Sequence, residues 1–145
     1  MNSTLRIAAK RSGVAGPVTS EYGARSAQTA TRNAMLAEMV VLSTESVPSF
    51  IELITQLQEE LQPESFVENM FVEVMAVAHW RRMRLWIIEK NQATADFRTL
   101  ADKSRFFGIL KRDQARLRRQ YQRNFEAFNA HRAWRIREAG AGQKM

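Results

Sequence analysis

A chain of 145 residues, 45% of them apolar, is enough for one domain with a core and too apolar to be disordered throughout. It has no cysteine, which excludes disulfides, thiolate chemistry and cysteine-ligated zinc and suits a reducing, cytoplasmic setting; no uncharged apolar run approaches the roughly eighteen residues of a bilayer span, so no membrane partner is expected. The net charge of +7 is unevenly placed: residues 41–75 carry seven glutamates and no Lys or Arg, whereas residues 93–145 carry thirteen basic groups against five acidic ones.

Residues 1–35 read as a flexible basic arm. Gly13, Gly16, Pro17 and Gly23 interrupt short polar stretches, and Arg6, Lys10, Arg11, Arg25 and Arg32 outnumber Glu21. The apolar part of Met1–Lys10 is too short for a secretory signal. The Arg-, Ser- and Ala-rich composition is shared by transit peptides and solvated arms, and the arm is the reading adopted. Ala24–Met39 has the propensity for a short helix but only a thin apolar face.

The helical domain is expected over 36–139, with a frayed tail over 140–145. Its first clear helix carries Phe50, Leu53, Ile54, Leu57 and Leu61 at helical spacing, with Glu52, Gln56, Glu59 and Glu60 mainly elsewhere. Ser49 with Glu52 offers a capping box, and Ser46 before Pro48 is the rival start. Pro63 stops this helix. The next opens at Pro63, or at Ser65 with Glu68 as a second capping box. Val67, Met70, Phe71, Val74, Val77, Ala78, Leu85 and Ile88 form its stripe, widened by Phe66, Trp80, Met83 and Ile87, as befits a central helix of about 40 Å. Periodicity is lost over residues 92–104. The last helix runs from near Arg105 to Glu138, with Phe107, Leu110, Leu117, Tyr121, Phe125 and Phe128 on one side.

The predicted fold is therefore all-α: a long antiparallel helical hairpin, a shorter helix packed on it, and the N-terminal arm. In that hairpin the acidic start of the central helix lies beside Arg132, Arg135 and Arg137, and the remaining basic residues stay unneutralised.

Catalytic and metal chemistry find no motif. His79 and His131 lack the glutamate three residues earlier that a di-iron bundle requires, Ala76 and Phe128 standing there instead. No nucleophile elbow, Walker loop or dinucleotide fingerprint occurs, so neither an enzyme, a cofactor nor a small-molecule substrate is expected. What stands out is basic: Arg81, Arg84, Lys111, Arg112, Arg116, Arg119 and Arg123, with Arg11 and Arg25 of the arm, are the candidate contacts to a DNA or RNA backbone. Trp80, Trp86 and Trp134 are candidates either for base stacking or for core and rim packing. The competing reading pairs the basic surface with glutamates, within the chain or between copies in a homo-oligomer.

Several segments carry a family resemblance. Gly16-Pro17-Val18-Thr19-Ser20-Glu21-Tyr22-Gly23-Ala24-Arg25-Ser26, Asn33-Ala34, the run Met75-Ala76-Val77-Ala78-His79-Trp80-Arg81-Arg82-Met83-Arg84 and Arg116-Leu117-Arg118-Arg119-Gln120-Tyr121-Gln122-Arg123 are together similar to motifs of an uncharacterised bacterial family of helical proteins, of acidobacterial and planctomycete type. Tyr22 interrupts the Glu-Gly pair of that pattern, and Ala37-Glu38 replaces a His-Gly pair. The resemblance implies a helical architecture and no particular chemistry.

Overall fold

The computed structural model describes residues 17–143, with side chains from residue 21 onward. These form four helices and, among the described residues, no strand: α1 (Pro17–Val40), α2 (Val47–Leu61), α3 (Phe66–Gln92) and α4 (Leu100–Gly142). The all-α hairpin expected from sequence is present, with α3 and α4 making the most extensive helix–helix contact.

The arm boundary at residue 35 needs correction. Residues 1–16, with Arg11, lie outside the described residues, but from Pro17 the chain is helical through that boundary. Two things carry the helix past Gly23. Alanines at 24, 27, 30 and 34 favour it, and its second half is anchored: Ala37 and Val40 are buried, and Asn33 exchanges amide hydrogen bonds with Gln58 of α2 at 2.9 and 3.2 Å. Arg32 adds an ion pair to Glu73 of α3 at 2.7 Å. Residues 21–28 bury nothing.

Ser46 rather than Ser49 caps α2. Its hydroxyl accepts the Ser49 N–H at 3.3 Å, and Pro48 falls in the first turn, where its missing N–H costs nothing. Ser65 caps α3, accepting from the Glu68 N–H at 3.1 Å, while the Glu68 carboxylate accepts the Glu64 N–H at 2.8 Å. The last helix starts five residues before Arg105 because Thr99 and Asp102 form a cap: the Asp102 N–H donates to the Thr99 hydroxyl at 3.1 Å, which donates to the Asp102 carboxylate at 2.8 Å. At the other end α4 continues to Gly142, so the tail expected to fray from residue 140 is still helical there.

The hairpin register follows from its cross-contacts: Glu68 with Arg135, Phe71 with His131, His79 with Tyr121 and Glu89 with Gln114. Extrapolated, this places Gln92 near Leu110, so the first turns of α4 overhang α3. Phe97 of the connection fills that end, 5.7 Å from Phe106 and 6.1 Å from Phe107 between ring centroids.

The core face of α3 also differs from the expected stripe. Val67 and Met70 are exposed, and the buried residues are Glu68, Val72, Met75, Ala76, Ala78 and Trp80. The helix is turned so that a carboxylate and an indole N–H face inward, because partners elsewhere in the fold satisfy both. Glu45, in the α1–α2 link, accepts from Trp80 Nε1 at 2.9 Å and from Arg84 Nε at 2.6 Å, and Arg84 also donates to the Val40 carbonyl at 2.8 Å. Around this network Ala37, Val40, Phe50, Ile54, Ala76 and Trp80 form the core of α1, α2 and α3, with Phe50 and Trp80 edge to face at 5.5 Å.

The corner between α2 and α3 is held from α4. Gln62 turns it in the left-handed region at φ 48°. Arg132 donates to the carbonyls of Leu61 and Gln62, taking up acceptors that the end of α2 leaves open. Arg135 reaches Glu68 at 2.8 Å and Glu64 at 2.7 Å. Burial pushes the Glu68 pKa up, but the Glu64 N–H and Arg135 outweigh it and hold the carboxyl below its ordinary value.

Candidate nucleic-acid interface

Most basic residues of the described part fall into three groups. The first is engaged internally: Arg84 on Glu45, Arg32 on Glu73, and Arg132 and Arg135 at the α2–α3 corner. Arg84 is thereby removed from the candidate contacts, since its guanidinium already serves a carboxylate and a carbonyl. The Arg84 pair also pulls the Glu45 pKa down to about 2, helped by the Leu42 N–H and the Trp80 indole against the opposing effect of burial.

The second group is exposed but scattered. Arg25 lies on the part of α1 that buries nothing, and Arg81 on the outer side of α3. Arg82, beside it in sequence, turns into the hairpin flank, where its guanidinium lies 5.0 Å from the Trp86 ring centroid. His79 packs against Trp86 and Tyr121, and burial with the nearby Arg82 charge lowers its pKa, which favours the neutral ring.

The third group forms a surface. Arg112, Arg116, Arg119 and Arg123 recur at spacings of four, three and four, and Arg105 precedes Arg112 by seven, so all five fall on one stripe of α4. All five are exposed, on the side of the helix turned away from the buried Leu110, Leu117 and Phe128. Their one ion pair among the described residues is Arg116 with Asp113 at 3.6 Å, both side chains open to water, and such a pair contributes little. The stripe spans about 27 Å, the rise of about eight nucleotides of one strand. Lys111 and Arg118 are also exposed but sit on a flank of the same helix. Arg105 was missed as a candidate because the helix was expected to start at it; its seven-residue offset from Arg112 was the available signal.

Glutamates show the complementary pattern. Glu45, Glu64, Glu68 and Glu73 each meet an arginine from a different part of the fold, whereas Glu52, Glu59 and Glu60 on the outside of α2 have no ion pair among the described residues. Between these, Leu53 and Leu57 line a shallow groove with Gln56, Glu59 and Glu60. Compared with known proteins, the chain matches no family model, no curated protein and no solved structure.

Proposed function

We propose that the protein is a non-enzymatic nucleic-acid-binding protein whose α4 arginine stripe tracks a phosphate backbone. The observation that carries this reading is the stripe itself. Arginines that only neutralise glutamates of the same fold sit where those glutamates are, as Arg84 and Arg135 do. Arg105, Arg112, Arg116, Arg119 and Arg123 instead share the side of α4 that faces away from α3. A row of guanidinium groups on a rigid helix meets phosphate oxygens in pairs and at little ordering cost. Arg25 and Arg11 are the secondary contacts in this reading.

The test is fluorescence anisotropy of the full chain with short single-stranded RNA and duplex DNA at two salt concentrations. Binding is expected to weaken steeply with salt, and Arg112→Glu/Arg116→Glu/Arg119→Glu to remove most of it. The slope of log affinity against log salt on duplex should lose about 0.9 for each phosphate contact removed. Absence of binding at low salt overturns the reading. In that case the unpaired glutamates of α2 favour self-association instead, with the α4 stripe of one copy on the acidic face of another, and the mass in light scattering reports it.

A further inference from the structure

The arginine stripe does not end at Arg123. Counting along α4, eighteen residues make about five turns, so positions eighteen apart point the same way. Trp134 therefore lies in line with Arg116, and Arg137 with Arg119. Trp134 is 52% exposed, in contrast to Trp80, which is 8% exposed and bonded to Glu45. It has no cation over its ring among the described residues, unlike Trp86 under Arg82, and its aromatic neighbour is His131 at 5.5 Å. Between Arg123 and Trp134 the line is occupied by Ala127 and Ala130, bordered by the exposed Glu126, leaving a low saddle about 16 Å long with no basic side chain, the rise of four or five nucleotides.

We infer that Trp134 is a base-stacking site at the end of the arginine track and that the nucleic acid taken by α4 is single-stranded. This rests on the proposed binding along the stripe and adds the class of ligand. In a duplex the bases are stacked on one another, and an indole on a helix surface has no base face to meet. A single strand held by its phosphates on Arg105–Arg123 has free faces where it passes over the alanine saddle, and a half-exposed indole covers one at no cost in sequence preference. Arg137 beyond it holds the next phosphate.

The experiment is anisotropy of the full-length protein with a fluorescent oligo-dT of sixteen nucleotides and a sixteen-base-pair duplex, for the wild type, Trp134→Ala and Trp134→Phe. Because Trp134 is not part of the core, both variants are expected to keep the wild-type circular dichroism and melting temperature. Trp134→Ala should weaken oligo-dT binding by roughly 5- to 100-fold while leaving duplex binding within about twofold. Trp134→Phe should restore most of the loss, and the salt slope should stay unchanged in all three because no charge is altered. Equal effects on strand and duplex, or no effect on either while wild type binds, overturn the stacking site and leave the arginine track standing. No binding by wild type to either nucleic acid overturns both.

Discussion

Glu45 lies in a short link between helices, yet it ties that link to α3 through Arg84 and Trp80 while accepting the Leu42 N–H within the link. Its folded pKa of about 2 is below the ordinary 4.5, so the stability it contributes is present above pH 4.5 and lost as pH falls towards 2. His79 adds a separate step: with its pKa lowered from 6.5 on folding, protonation destabilises the fold as pH drops below that value. A melting curve followed from pH 8 to pH 2 should fall in both windows, and Glu45→Gln should flatten the lower one. At pH 7 Glu45→Ala should cost about 1–3 kcal/mol in urea unfolding, since it leaves Arg84 and the indole N–H without their acceptor. Burial sorts the apolar side chains in the same way. Leu117, 4% exposed, should lose about 2–4 kcal/mol on replacement by alanine, and Val74, only half-buried, distinctly less.

Among the elements, α2, α3 and the hairpin were legible in the sequence because Pro63, Ser65 and the long apolar run fix where the chain turns and which segments lie side by side. The rotation of α3 was not legible. A helix apolar on nearly every side has no unique inward face, and Glu68 is an inward residue only because Arg135, sixty-seven positions later, lies against it. The α4 start was hidden for another reason: its first turns overhang α3, so their apolar pattern is weak and only the Thr99 cap marks them. The arginine stripe was visible as composition, but separating Arg84 from it needed the position of Glu45. Within α4, Gly108 sits in ordinary helix with nothing within 4 Å of where a Cβ would stand. Gly108→Ala should therefore raise stability by about 0.5–1 kcal/mol, read as an upward shift in melting temperature.

At the scale of the molecule, the 43 residues of α4 give a rod of about 64 Å. A compact domain of this chain length has a radius of gyration of about 15 Å. X-ray scattering should return a larger value and a maximum dimension of at least about 64 Å. The rod also separates two roles by face: its buried side fastens the hairpin, and its outer side carries the row of guanidinium groups proposed to meet phosphate. Changes on the outer stripe should therefore leave unfolding midpoints nearly unmoved while changing affinity.

The clasp of Arg132 and Arg135 on the α2–α3 corner sets an order of events during synthesis. Glu68 has left the ribosome long before Arg135 is translated, so the growing chain carries a carboxylate whose countercharge does not yet exist. Until then the corner keeps its acid in water, and only the Glu45 contacts to Trp80 and Arg84 bias α3 toward its final rotation. A chain released after Ala130 should hold its helices but not their packing at that corner, visible as retained far-ultraviolet and weakened near-ultraviolet circular dichroism. The last turns of α4 thus act as the late fastening that commits the earlier helices to one arrangement.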